Sequence, residues 1–263
     1  MHPALHIVKI GGKVVDEPAL LMPMLHAFIS DPRLKILVHG GDKGATQLAE
    51  KLGVPTQMVN GRRITDEATL DIALMVYAGL FNKKLVSALQ AGGCNALGLS
   101  GADGNLILAH KRPAGEIDYG WVGDISRIDA AGINRCLEAG FTPVFCAITH
   151  DGQGNLLNTN ADTIASVLAR ALTGRYRVRL LFCFEKKGIL KNPDDDHSVM
   201  PALNREQYRR LQAETAVSGG ILPKLDNAFA AAAAGVEMVV IGSATDLIAN
   251  FAADSVCGTL IQV

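Results

Sequence analysis

The sequence has no excess of charge of either sign and few aromatic residues. Its 25 Lys and Arg residues nearly balance 26 Asp and Glu residues, and aromatic residues make up 5% of the chain. Proteins that bind nucleic acid or anionic membranes commonly present a basic surface, so neither partner is expected here. A small-molecule substrate fits this composition better.

Cysteine pairs with the spacing of a metal or redox site are also absent. The five cysteines are widely spaced and stand mostly in apolar sequence: Cys94, Cys136, Cys146, Cys183 and Cys257. This pattern is typical of reduced thiols, so we expect no metal ion held by the protein. The sequence has no charged-then-apolar leader, and its longest apolar stretch, Ala228–Val236, is short and alanine-rich. We therefore predict a cytoplasmic protein that does not span a membrane.

The common nucleotide motifs are missing as well, since the chain has no Walker loop, dinucleotide fingerprint or protein-kinase catalytic triplet. Two glycine pairs instead follow apolar runs, Gly11-Gly12 and Gly40-Gly41. Without a Cβ atom, glycine lets backbone N–H groups come close to an anion. Each pair alone is a weak signal, because a glycine pair after a strand is most often a plain turn.

Two lysines far apart in the sequence add positive charge to this pattern. Lys9 precedes the first glycine pair, and Lys224 follows Gly219–Pro223. A polar stretch, Leu157–Asp162, lies between an apolar run and an alanine-rich helical segment. Because a phosphoryl group in transfer needs N–H donors and flanking positive charge, the combination favours a phosphoryl-transfer site. A lysine taken alone is most often a solvated side chain.

Strand-like runs alternate with helical patterns along the chain. The strand-like runs are Leu5–Ile10, Ile36–His39, Ala96–Leu99, Thr142–Ala147, Arg177–Phe184 and Met238–Ile241. The helical segments are Ala19–Ser30, Lys43–Leu52, Glu67–Gln90, Ala130–Ala139, Asp162–Leu172 and Leu225–Ala234. The alternation predicts an α/β protein with a largely parallel sheet covered on both faces. Residues 110–128, rich in Gly, Pro and aromatics, predict an added hairpin or loop.

The turn Asp151–Gly154 is the best candidate for a boundary between two lobes. It predicts an N-terminal lobe of residues 1–154 and a C-terminal lobe of residues 155–263 that share one continuous sheet. Length alone allows either one large domain or two lobes. Near the proposed site, Asp162 is also a candidate N-cap of the helix that follows it, because Asp accepts hydrogen bonds from first-turn N–H groups.

Seven segments, in this order, resemble the amino-acid kinase family over nearly the whole chain. They are Lys9–Gly12, Val38–Gly41, Val59–Asp66, Gly98–Gly101, Asn158–Asp162, Gly188–Leu190 and Gly219–Lys224. The resemblance implies an open αβα sandwich with the acyl-amino acid in the N-terminal lobe and ATP in the C-terminal lobe. It implies ATP-dependent phosphorylation of the side-chain carboxylate of an N-acylated glutamate, which for N-acetyl-L-glutamate is the second step of arginine biosynthesis.

The resemblance also implies a role for each matching residue. Lys9 and Lys224 would flank the transferred phosphoryl group, and Asp162 would orient both. Arg63 and Asn158 would hold the carboxylates of the substrate, and the alternative for Arg63 is a surface ion pair. Gly40 and Gly41 would lie at the substrate, and the residues expected around ATP are Gly11, Gly12, Glu185, Gly188, Leu190, Gly219 and Gly220. Mg²⁺ would be carried by the nucleotide, and no general base is required because a carboxylate is already ionised at neutral pH.

Two segments depart from the family pattern. Asp42 follows Gly41 where a third glycine is usual, and we expect its carboxylate to cap the helix that begins near Lys43. Phe184–Lys187 replaces a sequence that more often resembles Thr/Ser-Asp-Val-Pro. With Tyr119–Asp124, it resembles a branch associated with N-succinylglutamate. Either this acceptor or a catalytically silent nucleotide or amino-acid sensor stays open as an alternative.

Two further expectations follow from the same segments. A succinyl group adds a carboxylate, for which Lys111 or Arg112 would supply positive charge, although both are more simply solvated loop charges. The helix predicted over Glu67–Gln90 is apolar around much of its circumference, which predicts a homodimer or, alternatively, burial against the sheet. The first strand stands close to the start of the sequence, so we expect no arginine-sensing extension.

Overall fold

The computed structural model describes residues 2–59, 62–192, 194–213, 221–246 and 256–263. The strands are β1 (Ala4–Ile10), β2 (Leu34–His39), β3 (Met58–Val59), β4 (Arg62–Arg63), β5 (Ala96–Leu99), β6 (Ile107–Lys111), β7 (Gly123–Ile128), β8 (Thr142–Phe145), β9 (Ile148–His150), β10 (Leu156–Asn158), β11 (Arg177–Phe184), β12 (Ala202–Leu203), β13 (Met238–Ser243) and β14 (Thr259–Ile261). Eight of these described strands form the main sheet, in the order β12-β14-β13-β11-β1-β2-β8-β5. One continuous sheet therefore combines strands from both ends of the chain.

The main sheet is parallel except at one pair near its edge. β1 lies at its centre and pairs in parallel with β11 on one side and β2 on the other. The antiparallel pair is β13 with β14. The mainly parallel α/β architecture predicted from the alternation of elements is thus confirmed.

A smaller sheet stands beside the main one, with the strand order β10-β9-β6-β7. The hairpin predicted for residues 110–128 is found as the antiparallel pair of β6 and β7. The turn Asp151–Gly154 joins β9 to β10, which are also antiparallel. The first strand after this turn therefore remains in the small sheet, and the chain enters the C-terminal half of the main sheet only later, at β11.

The helices are α1 (Gly12–Asp16), α2 (Pro18–Ser30), α3 (Asp42–Leu52), α4 (Glu67–Ala73), α5 (Asn82–Ala91), α6 (Ala130–Glu138), α7 (Ala161–Leu172), α8 (Arg205–Ala213) and α9 (Ile221–Ala233). A π-helical stretch, Leu74–Phe81, joins α4 to α5. The long helix predicted from residue 67 onward is thus confirmed as one helix of 25 residues, Glu67–Ala91. Its π-helical middle could not be predicted from the apolar pattern.

Two of the predicted helix caps are wrong. Asn160, not Asp162, caps α7, and its side chain accepts a hydrogen bond from the Thr163 N–H at 3.0 Å. Gly41 stands at the N-cap of α3, and Asp42 is the first residue of that helix. Asp42 lies one position and Asp162 two positions past the N-cap, so their carboxylates are available for other contacts.

Apolar clusters cover both faces of the sheet. Because successive side chains of a strand point to opposite faces, Ile7 belongs to one cluster and Val8 to the other. The same alternation separates Ile36 from Leu37 on β2. Helix α7 contributes Ile164 to the first cluster. Both faces are therefore buried, as expected for a parallel sheet between helical layers.

Within the described part of the chain, only the helix Glu67–Ala91 has the length and mean hydropathy to cross a membrane. One side of this helix packs in the protein core, where Ile72, Val76 and Leu85 are almost fully buried. Its opposite side exposes about half of Met75 and Leu80. Burial thus accounts for one side of this helix, and the homodimer stays a prediction for the other.

Candidate active site

Lys9 and Lys224, 215 positions apart in the sequence, meet at the carboxylate of Asp162. Lys9 Nζ lies 2.7 Å from Asp162 Oδ1, and Lys224 Nζ lies 3.0 Å from Asp162 Oδ2. The side chain of Lys9 is 8% exposed, that of Lys224 is 12% exposed and that of Asp162 is 11% exposed. The structure thus places both predicted lysines around the predicted aspartate.

Three elements of the fold bring these side chains together. Lys9 lies near the end of β1, between Val38 of β2 and Phe182 of β11. Lys224 lies in α9, and its Nζ stands 5.9 Å from the ring centre of Phe182. Asp162 lies in the first turn of α7, which contacts β1, β11 and α9. Because α7 packs against β1, β11 and α9, it fixes the distance between the two lysines.

The charges of this cluster stabilise one another. Burial alone would raise the pKa of the Asp162 carboxyl, but the charges of Lys9 and Lys224 outweigh burial and lower its pKa to about 2. For Lys224, burial and the charge of Lys9 lower the pKa, and Asp162 opposes them. One carboxylate thus faces two ammonium groups, which leaves an excess of positive charge for an incoming anion.

The two glycine turns lie side by side next to this cluster. A Cβ placed on Gly12 would lie 3.7 Å from the backbone nitrogen of Asp42, at the start of α3. A Cβ on Gly40 would lie 3.8 Å from Cβ of Ala161, at the start of α7. The N-termini of α1, α3 and α7 therefore adjoin, and helix N-termini attract anions through their free N–H groups and dipoles.

One expected amide donor is already engaged. The Gly11 N–H donates to the carbonyl oxygen of Cys183 at 3.1 Å, so it prolongs the contact between β1 and β11. The expectation that Gly11 offers its amide to a phosphate is therefore corrected. Gly12, the first residue of α1, stays a candidate donor.

A cleft opens beside the start of α7. Three of the predicted substrate residues, Gly40, Arg63 and Asn158, line it, together with Asn160 and Ala161 of the loop and helix that lead to Asp162. It is open to solvent, so a small molecule can reach these residues. The predicted acceptor residues and the lysine cluster are thus parts of one region.

Arg63 is not a surface ion pair, because the residue is only 5% exposed. Its Nη2 donates to the carbonyl oxygen of Asp42 at 2.9 Å and to Oγ1 of Thr46 at 2.8 Å. These contacts fix the guanidinium plane at the wall of the cleft. A fixed guanidinium is well suited to bind a planar carboxylate.

The tip of the β6–β7 hairpin holds Asn158 in place. Its backbone N–H donates to the carbonyl oxygen of Trp121 at 2.9 Å, and the Trp121 N–H donates to the carbonyl oxygen of Thr65 at 2.7 Å. The Asn158 side chain donates from Nδ2 to Oγ1 of Thr65 at 3.0 Å. The hairpin residues thus connect the two segments that carry Arg63 and Asn158.

Several lining residues were missed by sequence reasoning or left undecided. Those that line the cleft besides the predicted ones include Asp42, Arg62, Tyr77, Arg112 and Asp124. Arg112 donates from Nε to Asp124 at 3.0 Å, whereas Lys111 stacks its Nζ 4.2 Å from the ring centre of Trp121. Of the two cations considered for an acyl group, only Arg112 is therefore part of the cleft wall. No spacing rule could have found Tyr77, because it lies 14 residues from Arg63 in a helix.

The nucleotide half of the expected site is described only in part. Gly219 and Gly220 lie outside the described residues. Glu185 is exposed directly after β11, and Gly188 is buried against Val199 and Thr259. Leu190 forms an isolated bridge with Val199. Their expected contacts with ATP stay predictions.

Neither a general base nor a protein-bound metal is prominent in the site. His39 is fully buried, and burial lowers its pKa to about 4, so it is neutral at pH 7. Its Nδ1 lies 2.8 Å from the carbonyl oxygen of Gly40 and its Nε2 lies 3.1 Å from Nδ2 of Asn82, which fits a structural role. Among the residues that the structure describes, no group of three or more His, Cys, Asp or Glu side chains could hold a metal ion.

Fold and site together define a class, the α/β proteins that bind anions where helices begin at the carboxyl ends of parallel strands. Within this class, the chain belongs to the amino acid kinase family, whose pattern it matches over residues 4–243.

Similar proteins agree with this assignment. The chain is 51% identical over 241 residues to the acetylglutamate kinase of Bacteroides fragilis, covering 92% of each chain. It is 47% identical over 256 residues to the acetylglutamate kinase of Cytophaga hutchinsonii, covering 97% of each. A crystal structure of a Streptococcus mutans protein superposes with a TM-score of 0.81 at 25% identity, covering 98% of both chains. Similarity therefore extends over nearly the whole fold.

Proposed function

We propose that this protein transfers the γ-phosphoryl group of ATP to the side-chain carboxylate of N-acetyl-L-glutamate, a step of arginine biosynthesis. Relatives at about half identity over most of the chain carry the name acetylglutamate kinase. The observation that carries the proposal is the Asp162 carboxylate, which holds Lys9 and Lys224 at 2.7 and 3.0 Å. These names favour the N-acetyl acceptor over the N-succinyl acceptor and over a silent sensor.

The proposed reaction brings two anions together. An oxygen of the acceptor carboxylate forms a bond to the γ-phosphorus, and the bond from that phosphorus to the bridging oxygen breaks, leaving its electron pair on ADP. No proton moves, because the attacking carboxylate is already ionised. The task of the protein is to position the reactants and to neutralise charge.

The two lysines have this neutralising role in the proposal. Lys9 from β1 and Lys224 from α9 approach the γ-phosphate from opposite sides, and Asp162 keeps both ammonium groups oriented before the substrates bind. The N–H groups at the start of α1 and α3, at Gly12 and Gly41, are the proposed donors to phosphate oxygens. Asp162 remains a positioning residue, because its own charge would repel phosphate.

Arg63 and Asn158 are proposed to hold the carboxylate of the acceptor that does not react. Both line the same cleft, and Arg63 already has a fixed guanidinium. Gly40 lines this cleft as well, which lets the acceptor lie close to the backbone that leads to α3. This arrangement orients the side-chain carboxylate of the acceptor toward Lys9 and Lys224.

Mg²⁺ is proposed to enter with the nucleotide, since the described side chains offer no three-residue metal site. When bound to ATP, it supplies positive charge at the β- and γ-phosphate oxygens. The ammonium groups of Lys9 and Lys224 then cover the parts of the phosphate that a single ion leaves exposed.

The division into lobes and the dimer are also part of this proposal. Residues 1–154 would bind the acceptor and residues 155–263 would bind ATP, because Arg63 and Lys224 lie in different halves of the sequence.

The half-exposed Met75 and Leu80 offer an apolar surface for a second copy of the chain. If so, Leu80→Lys reduces the mass measured by analytical ultracentrifugation from dimer to monomer. Cys94, Cys136, Cys146 and Cys183 are free thiols, which fits the reducing conditions of the cytoplasm.

An acceptor panel tests the proposed activity. The protein is incubated with MgATP and, separately, N-acetylglutamate, N-succinylglutamate, glutamate, aspartate or UMP, and acyl phosphate is trapped with hydroxylamine. We expect N-acetylglutamate to give the highest kcat/KM. Lys51→Ala, which removes an exposed lysine at the end of α3, is the control for lysine substitutions in the site.

Each outcome of the panel has a defined meaning. Higher kcat/KM with N-succinylglutamate would replace the proposed acceptor and keep the reaction. Turnover of UMP or of unacylated amino acids alone would contradict the acyl-amino-acid assignment. Binding of ATP without turnover of any acceptor would favour a silent sensor.

A further inference from the structure

The carboxylate of Asp42 stands at the wall of the acceptor cleft, beside the arginine proposed to bind the acceptor. Its Oδ1 lies 3.9 Å from Nε of Arg63, which is too far for a hydrogen bond. The Asp42 side chain is 70% exposed, whereas that of Arg63 is 3% exposed. An exposed carboxylate of the protein is therefore within reach of the buried cation proposed to bind a substrate carboxylate.

Tyr77 restrains this carboxylate. The Tyr77 hydroxyl donates to Asp42 Oδ1 at 2.7 Å, and the residue is only 1% exposed. Its ring packs against Gly41, where a Cβ would lie 2.6 Å from Cδ1 of Tyr77. The π-helical stretch Leu74–Phe81 sets the direction of the ring, and such stretches are frequent at functional sites. The hydroxyl is thus a fixed point, while the carboxylate it holds is exposed.

The Tyr77 hydroxyl is a dependable donor. Burial, followed by the nearby charge of Asp42, raises its pKa well above the usual value for tyrosine, and Arg63 offsets this only in part. The phenol therefore keeps its proton over the whole physiological range. It donates that proton to Asp42 whether or not a substrate is bound.

Arg63 keeps donors for a substrate, because its five N–H groups make three of the hydrogen bonds that the structure describes. Its Nη1 and Nη2 atoms are engaged by Thr56, Thr46 and the carbonyl oxygen of Asp42. Its Nε is buried and has no hydrogen-bond partner within the described part of the chain. A buried N–H without a partner is costly, so the nearest free carboxylate oxygen gains by binding it. In this site, that oxygen comes either from Asp42 or from the acceptor.

We propose that Tyr77 is a positioning residue that holds the Asp42 carboxylate away from Arg63 Nε and thereby keeps this N–H for the acceptor. This inference rests on the proposed function, because it assigns the Arg63 wall of the cleft to the acceptor carboxylate. Without the hydroxyl, Asp42 rotates toward Arg63 and competes with the substrate. Tyr77 thus determines acceptor affinity through Asp42, without touching the acceptor itself.

A double-mutant cycle tests this competition. Steady-state kinetics with N-acetylglutamate are measured for the parent protein, Tyr77→Phe, Asp42→Asn and the double variant. We expect Tyr77→Phe to raise the acceptor KM about threefold to fivefold when Asp42 is present, as for one exposed ion pair. In the Asp42→Asn background, the same change raises KM less than about 1.5-fold, because no charged competitor remains. The kcat and the KM for ATP stay within about twofold in all four proteins.

The control is Tyr176→Phe, which also removes a buried tyrosine hydroxyl that donates to a side-chain oxygen, here Oδ1 of Asn134. It is expected to leave the acceptor KM unchanged. A purely structural role of Tyr77 would raise KM equally in both backgrounds or lower kcat, and either result overturns the inference.

Failure of the proposed function gives a different result. If calorimetry shows that the parent protein binds N-acetylglutamate but the protein does not phosphorylate it, the proposed activity is wrong. The double-mutant cycle is then analysed with the dissociation constants of the acceptor in place of its KM values. If the parent protein neither binds nor phosphorylates this acceptor, both proposals are overturned.

Discussion

Two aspartates of the site, Asp162 and Asp42, stand next to the cations proposed to act on the substrates, and their surroundings differ sharply. Asp162 is 11% exposed and lies within 3.0 Å of two lysine nitrogens. Asp42 is 70% exposed and lies 3.9 Å from the one arginine nitrogen that it faces. Only the buried carboxylate is held in a single position by the charges around it.

The difference shows how burial assigns a role to an ion pair. In a water-poor site, Asp162 has no alternative partner, so Lys9 and Lys224 hold it ionised and lower its pKa to about 2. Asp42 has water as an alternative partner, so its position depends on the neutral hydroxyl of Tyr77. We therefore expect the buried pair to contribute to stability and catalysis, and the exposed one to contribute to affinity.

The largest expected effect comes from removing the buried carboxylate. Asp162→Ala leaves two buried ammonium groups side by side without a countercharge, which we expect to cost about 3–5 kcal/mol of unfolding free energy. Urea unfolding at pH 7 measures this cost. Asp71→Ala, at an exposed position of α4, is the control and is expected to change stability by less than about 0.5 kcal/mol. Equal midpoints for the two variants would contradict the structural importance of the cluster.

The next effect concerns the lysines themselves. Lys9→Ala or Lys224→Ala should remove roughly 3–4 kcal/mol of transition-state stabilisation, similar to the loss of one preorganised donor, and kcat should fall accordingly. Substrate KM values should change less, because the lysines act on charge that develops during transfer. Hydroxylamine trapping with N-acetylglutamate measures the rate, and Lys51→Ala is the matched control. Near-normal turnover in either variant would remove that lysine from the mechanism.

Arg63→Ala is expected to act on binding. It removes charge-assisted hydrogen bonds to the acceptor, so acceptor binding should weaken by about 2–3 kcal/mol. The acceptor KM should rise accordingly, while the KM for ATP changes little. Steady-state kinetics with each substrate varied separate the two effects. Arg127→Ala, an exposed arginine of β7, serves for comparison. An unchanged acceptor KM would move the carboxylate clamp to another cation of the cleft wall, Arg62 or Arg112.

The smallest expected effect is the pH dependence of the unfolding free energy that arises from the buried carboxylate of Asp162. The pKa of Asp162 is lowered from 3.8 to about 2 in the folded protein. Its ionised form therefore contributes stability that is fully present above pH 4 and is lost as the pH falls toward 2, about 2 kcal/mol in total. The difference in unfolding free energy between the parent protein and Asp162→Asn should shrink over this interval. A difference that stays constant from pH 5 to pH 2 would show that the lysines do not hold the carboxylate ionised.

The strands of the main sheet that carry the site were predictable from the sequence. β11 matches its predicted bounds, Arg177–Phe184, because the apolar run Leu180–Phe184 identifies a strand buried on both faces. Short or polar elements escaped prediction. Helix α1 has five residues, and α8 is so rich in charge that its apolar face is narrow. Strand β14 has three residues and is defined by its pairing with β12 on one side and β13 on the other.

The site was predicted unevenly, and the failures have a common cause. The residues that the resemblance identified, such as Lys9 and Asp162, are brought together by the structure. The roles of Asp42 and Asp162 as helix caps were wrong because helix starts are uncertain by one or two residues, and each residue rotates a side chain by about 100° around the helix. Tyr77 carries no motif at all, and its function follows only from its distance to Asp42.

The sequence by itself determined the alternation of strands and helices, because apolar spacing is a local property that each segment carries. It also determined which side chains could neutralise a phosphoryl group. Only the tertiary structure decided that α7 places Asp162 between lysines from β1 and α9, and that Tyr77 holds Asp42 away from Arg63. Such contacts join residues that are far apart in the chain, and their distances depend on the packing of whole elements, which no local pattern encodes.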